Sequence, residues 1–334
     1  MFIPWYSRSV RLTGRWSRTG MDGVQSPAKI TTTTAAGSYF EAAFTGRDAR
    51  LHFDLGFLGQ PFPHLYICVD GGAGVEVPVD RYLWIRTESK GAHTVKVLYK
   101  GGMEMLPRWH APLMGAVSFA GLEAEAPGVL PADDRPIIEF VGDSITEGVL
   151  TDADYASSPA HVIDQWCRPY QDDNTATYAA ITAKNLDLRA MFQAYGAVGL
   201  TRTGCGSVPR AGLIYPWVFE NEPYTGEKPD YVVINHGAND RGAAAQEYIS
   251  RYEELLDLIE QTAPRAKIVC LSPFCGAFDG EIGDMVARRA CPRESFISTR
   301  GWLPAEPLHP LRGGHMTAAE NLTRELKKRF PELQ

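Results

Sequence analysis

Three short stretches carry residue types that together could run acyl transfer. They are a serine in EFVGDSITEG (139–148), an asparagine in VVINHGANDRG (232–242) and a histidine in PAEPLHPLRGGH (304–315). A serine hydroxyl is a weak nucleophile, so it needs a base such as imidazole, itself steadied by a carboxylate. An ester carbonyl under attack needs N–H donors for its developing oxyanion. Ser144 follows an apolar run and a Gly142-Asp143 turn, where backbone N–H groups favour negative charge. Asn239 follows a second apolar run and can offer its side-chain amide, with His236 close by to line a site. His309 stands between two prolines, three residues after Glu306.

Each residue also has a plain structural reading. Ser144-Ile-Thr-Glu147 fits a capping box. Gly237 to Asp240 fits a turn, with Asp240 capping the next segment. His315 lies a turn beyond His309 and is the decoy to exclude, while His52, His64, His93 and His110 fall where nothing else suggests chemistry.

The elements needed to position these groups are visible in two grammars. Residues 1–128 read as short strands, among them ARLHFDLGF, HLYICVDGG and HTVKVLYKG, punctuated by Gly, Asp and Pro. That pattern predicts an antiparallel sandwich of jelly-roll type. EAEAPGVLPADDRP (123–136) breaks the rhythm and marks the boundary. From residue 135 to 334 strands and helices alternate: PIIEFVG, TATYAAITAKNL, LRAMFQAYG, DYVVINHG, AAQEYISRYEELLDLIEQTAP, KIVCLSPF, GEIGDMVARRA, ESFIST and TAAENLTRELKKRF. The alternation predicts a three-layer α/β/α domain with a parallel sheet, and ligands in such folds sit at the carboxyl ends of the strands.

In this order, a Gly-Asp-Ser turn, a Gly-x-Asn-Asp turn and a late carboxylate-x-x-His-Pro resemble the SGNH, or GDSL-type, hydrolases from Pro136 to the C-terminus. The resemblance implies Ser144 as nucleophile and His309 as general base. It implies an oxyanion hole from the Ser144 N–H, the Asn239 amide and a glycine N–H, for which Gly196 is the first choice and Gly199 the second. The family has Asp where this chain has Glu306, so Glu306 is expected as the third member of the triad, through an arm one methylene longer; the alternative is that it points away and leaves a Ser–His dyad steadied by a backbone carbonyl. A β-sandwich ahead of such a domain looks like carbohydrate esterase family 2, which removes acetyl groups from plant polysaccharides and their oligosaccharides. The expected activity is therefore carbohydrate acetylesterase. The alternatives are a short-chain esterase, thioesterase or lysophospholipase-like hydrolase, or an inactive carbohydrate-binding protein. Asp143, His236, Trp217 and Trp302 are expected to touch substrate, with Trp166, Tyr170 and Tyr215 as further aromatic candidates. Arg202 could meet an acidic sugar from the Gly-rich TRTGCGSVPRAG segment.

Bulk properties narrow the rest. The 334 residues carry a net charge of −7, which argues against nucleic acid or an anionic membrane as partner. With 44% hydrophobic and 22% charged residues the composition is that of a globular protein, and no apolar run is long enough to span a bilayer. The N-terminus lacks a continuous apolar h-region, so a cytoplasmic location is expected. The six cysteines form no Cys-x-x-Cys pair and read as free thiols. The chemistry requires no metal or organic cofactor; the expected partner is a small-molecule or oligosaccharide ester, and a homo-oligomer is compatible with the sequence.

Overall fold

The computed structural model describes residues 1–18, 29–153, 165–304 and 306–334. Its first part contains β1 (Phe2–Pro4), β2 (Val10–Thr13), β3 (Thr31–Thr33), β4 (Tyr39–Phe53), β5 (His64–Val69), β6 (Val75–Pro78), β7 (Tyr82–Gly101), β8 (Val117–Glu123) and β9 (Ala126–Pro127). All are joined antiparallel in a nine-stranded sheet with the path β1-β8-β4-β7-β5-β6. The two longest strands, β4 and β7, pair along most of their length across a bulge at Gly46–Asp48. The first half of β4 also takes β2 and β9 as neighbours, and its second half takes β8. One bent ribbon thus serves two layers, as in a β-sandwich. Alternate residues of the ribbon point into one core, where the Phe40 and Phe119 rings stack at 3.8 Å.

The second part contains β10 (Ile137–Gly142), α1 (Ser144–Glu147), α2 (Arg168–Gln171), α3 (Tyr178–Asn185), β11 (Arg189–Ala194), α4 (Ala211–Ile214), β12 (Trp217–Phe219), β13 (Glu222–Pro223), β14 (Tyr231–Asn235), α5 (Ala245–Thr262), β15 (Lys267–Leu271), α6 (Asp279–Arg289), β16 (Glu294–Ile297) and α7 (Arg312–Arg329). Five strands form a parallel sheet in the order β11-β10-β14-β15-β16. Side chains alternate across it. Val141, Val232, Ile234, Ile268 and Cys270 pack with α5 and α6, whereas Ile138, Phe140, Val233, Val269 and Leu271 pack with α3 and α7. Because β11 and β14 flank β10, the chain changes winding direction there, and the crevice opens above the carboxyl ends of β10 and β14.

The closing helix starts five residues before the stretch TAAENLTRELKKRF, at Arg312, and takes Gly313 and Gly314 into its first turn. Glycine in a helix costs roughly 1 kcal/mol against alanine. The early start places His315 on the buried face, where its Nδ1 accepts the Tyr178 N–H at 3.1 Å. Burial holds its pKa down, at about 3, so it is a neutral packing residue. All six cysteines are free thiols. Among the described residues no helix is long and apolar enough to cross a membrane.

The antiparallel strands end at Pro127 and the parallel sheet begins at Ile137, yet the two parts share buried charge. Glu139 sits in the middle of β10 at 0% exposure. Arg15 reaches it from the other part with Nε and Nη2, at 2.9 and 2.6 Å from Oε1. Tyr215 donates its hydroxyl to Oε2 at 2.8 Å, and the guanidinium lies over the Tyr215 and Tyr224 rings. A carboxylate in the central strand of a sheet is tolerable only with such a partner. Arg15→Ala leaves Glu139 buried without its cation, so urea unfolding should show a loss of roughly 3–5 kcal/mol. The double substitution Arg15→Met, Glu139→Leu should recover much of that loss.

Candidate active site

Ser144 is the first residue of α1 and is not its cap. Asp143 caps the helix, its Oδ1 accepting the Ile145 N–H at 3.0 Å. Glu147 does not turn back on Ser144 as a capping box would require. The Ser144 hydroxyl instead faces His309, with Oγ to Nε2 at 2.9 Å. Gly142 permits this sharp entry, because a Cβ there would come within 2.2 Å of Thr146 Oγ1. Burial lowers the pKa of His309 below its ordinary value, with the negative charge of Glu104 opposing the shift and Arg168 adding to it. The imidazole is thus neutral near pH 7 and accepts the Ser144 proton. Ser144, Ile145, Ala197, Ala238, Asn239, Leu308, His309 and Glu104 enclose a cavity of about 100 Å³.

Asn239 reaches this cavity from the turn after β14. Its Nδ2 lies 3.1 Å from the Val198 carbonyl and 3.4 Å from Asp143 Oδ2, the second a long contact. Asp240 fixes the neighbouring turn rather than capping the next segment, since its carboxylate accepts the N–H groups of Leu200 and Thr201 at 3.1 and 2.8 Å.

The turn after β11 differs from the sequence expectation. The Gly196 N–H donates to Glu147 Oε2 at 2.5 Å, and the Gly199 N–H donates to the Arg202 carbonyl at 3.1 Å, so neither points at the cavity. Both glycines are there for space. A Cβ at Gly196 would lie 1.9 Å from Glu104 Oε2, and one at Gly199 would lie 2.5 Å from Asp240 Oδ1. Between them Ala197 takes φ +57° and lines the cavity. The residue that sequence reasoning missed here is Ala197, whose left-handed backbone leaves no trace in its type.

Further expected site residues are placed elsewhere. Glu306 is exposed, and among the described residues no hydrogen bond joins it to His309. Asp143 is buried at 1% exposure, its carboxylate accepting from Ile145 and, in a long contact, from Asn239, and burial pushes it up to about 7; it shapes the turn. His236 is buried too; loss of solvent lowers its pKa to about 4, and its carbonyl accepts the Tyr248 hydroxyl. Trp217 belongs to β12 and Trp302 packs near Phe274 at 6.4 Å between ring centres; each is half-buried against a core and neither lines the cavity. Tyr215 is held by Glu139, and Arg202 is exposed away from the cavity.

The other residues missed lie in the loop after β7, in GGMEMLPRWH. Arg108 is buried and reaches across to Glu147, donating from Nη1 and, at 3.5 Å, from Nη2. Burial raises the Glu147 pKa while the guanidinium opposes the shift. The Arg108 N–H donates to the Gly206 carbonyl at 3.0 Å, which seats this loop on the segment after β11. Glu104 accepts from Arg168 Nη2 at 3.1 Å, and Arg168 also holds Asp172 at 3.2 Å.

The parallel sheet is wound in the order 2-1-3-4-5, with Ser144 and His309 in contact above it. Residues 140–295 match the sequence model of the GDSL-like Lipase/Acylhydrolase family. Over 277 residues the chain is 29% identical to the cellulase/esterase CelE of Acetivibrio thermocellus, covering 72% of this chain and 31% of that protein. It therefore spans about a third of that relative's length. A family two carbohydrate esterase from Cellvibrio japonicus has the same fold, with a TM-score of 0.80 at 19% identity over 100% of this chain and 99% of that one. A family two carbohydrate esterase from Clostridium thermocellum, solved in complex with cellohexaose, has a TM-score of 0.74 at 23% identity, covering 97% and 99% of the two chains.

Gly196→Ala tests the steric account of the turn. The added methyl must displace Glu104, and a drop in unfolding free energy of about 1–3 kcal/mol is expected in thermal or urea unfolding.

Proposed function

We propose that the protein is a serine esterase that removes acetyl groups from acetylated oligosaccharides. The observation that carries the reading is the 2.9 Å contact between Ser144 Oγ and His309 Nε2 at the mouth of a small cavity. His309 takes the Ser144 proton as Oγ attacks the ester carbonyl, and the tetrahedral oxyanion is held by N–H donors. We assign these to Ser144, Ala197 and Asn239, the last exchanging its long contact with Asp143 for the oxyanion. Imidazolium then protonates the leaving alcohol oxygen as the C–O bond breaks. A water, deprotonated by His309, attacks the acyl-serine and releases the acid with Ser144 restored. In this reading residues 135–334 are the catalytic unit, and residues 1–128 brace it and complete its cleft.

The cavity supports a short acyl group, since about 100 Å³ is only some three water molecules' share of liquid. The likeness to CelE and the cellohexaose held by the Clostridium thermocellum esterase support an oligosaccharide as the alcohol.

Hydrolysis of p-nitrophenyl esters from two to eight carbons tests the reading, with acetate release from acetylated cello- and xylo-oligosaccharides alongside. A two-carbon preference abolished by Ser144→Ala is expected, whereas equal rates in both proteins would reduce Ser144 to a turn residue. Asn239→Ala should lower kcat by roughly 100- to 1,000-fold with little change in KM. Activity requires neutral His309, whose pKa is depressed, so the acid limb of kcat/KM should fall below the ordinary histidine value near 6.5.

A further inference from the structure

In a serine hydrolase the imidazolium formed during acyl transfer needs a compensating negative charge, and Glu306 does not approach His309 to supply it. A different carboxylate does face the cavity. Glu104 lines it together with Ser144 and His309, yet it comes from the loop after β7, in the other half of the chain. We propose that Glu104 is the residue that balances charge on His309, so that the N-terminal half completes the catalytic machinery. The proposal rests on the esterase reading above.

The placement is built. The Glu104 side chain is 13% exposed, and its Oε1 accepts from Arg168 Nη2 at 3.1 Å. Its Oε2 lies where only a glycine at 196 leaves room. The loop that carries it is pinned from below by Arg108, bound to Glu147 and to the Gly206 carbonyl. The charged and titratable groups around this corner are Arg108, Glu147, Arg168, Asp172, Cys205 and His315. Arg168 is shared between Glu104 and Asp172, and of these two carboxylates Glu104 is the one that lines the cavity beside His309. Arg108 is occupied by Glu147 through two nitrogens, and Arg168 holds Asp172 through Nε and Nη2 at 3.3 and 3.2 Å. Burial pushes Asp172 up to about 7, and it raises the Cys205 thiol and lowers His315, so the last two are neutral near pH 7. His309 therefore sees two nearby opposed influences, the carboxylate of Glu104 and the guanidinium of Arg168. No hydrogen bond joins Glu104 to His309 among those of the described residues, so Glu104 acts through space as a positioning and charge-balancing residue.

Glu104→Gln keeps the shape and an oxygen for Arg168 but removes the charge. The neutral side chain leaves Arg168 to dominate, so the His309 pKa must fall. The test is an NMR titration of His309 in wild type, Glu104→Gln and Glu306→Gln, combined with the pH profile of kcat/KM on p-nitrophenyl acetate. Glu104→Gln should move the His309 titration and the acid limb to lower pH by up to about one unit, and should cut kcat about ten-fold. Glu306→Gln should leave both within about 0.2 unit and two-fold of wild type. Glu104→Asp should restore part of the shift, which a purely packing role would not do. An unmoved titration in Glu104→Gln, or one moved instead by Glu306→Gln, overturns the proposal. A wild type without ester turnover would overturn the esterase reading, and the titration would still decide whether Glu104 governs the charge of His309.

Discussion

The site depends on one buried carboxylate, Glu147. It ends the short helix that carries Ser144, receives Arg108 from the N-terminal half and fixes the Gly196 N–H of the turn after β11. Three segments that are distant in sequence meet on two oxygens. In an interior of low dielectric such a contact is strong only when its geometry is complete, and an unpaired Glu147 would be costly. The next residue, Ala197, takes φ +57° and lines the cavity. The placement of Ser144 and the shape of the pocket thus share one interaction.

Much of the fold was legible because it rests on local periodicity. Strand alternation in residues 1–128 and the alternation of strands with amphipathic helices after residue 136 are properties of neighbouring residues, and they led to an antiparallel sheet and a parallel one. The positions of Ser144 and Asn239 just after strand ends, and of His309 just before the last helix, were legible for the same reason. What was not legible is held by contacts across the two halves. Glu104 and Arg108 sit in a stretch that reads as ordinary loop, and nothing in GGMEMLPRWH announces a partner some 40 residues later or more. One signal was present and unused: Glu139 stands inside an apolar strand, and a charge there demands a cation from elsewhere.

The glycines show how a correct residue can carry the wrong reason. Gly196 stands out in AMFQAYGAVGL, and the family resemblance assigned it a catalytic N–H. Its actual constraint is steric, from Glu104 on one side, and its N–H is structural. Similarly, Glu306 has the spacing of a triad member but lies exposed, because a three-residue offset in a proline-flanked loop does not fix a side chain's direction.

The shared cleft bears on how such a chain can change over time. An accessory module joined by a linker can be exchanged, lost or duplicated without harm to the catalytic unit. Here Arg15 neutralises a charge inside the strand that leads to Ser144, Arg108 neutralises one at the end of its helix, and Lys100 reaches the carbonyls of Pro169 and Tyr170. Recombination at the 123–136 segment would leave each half carrying buried charges matched to a lost partner. The two halves are bound to be inherited together, and substitutions in one are free to persist only when the other accommodates them.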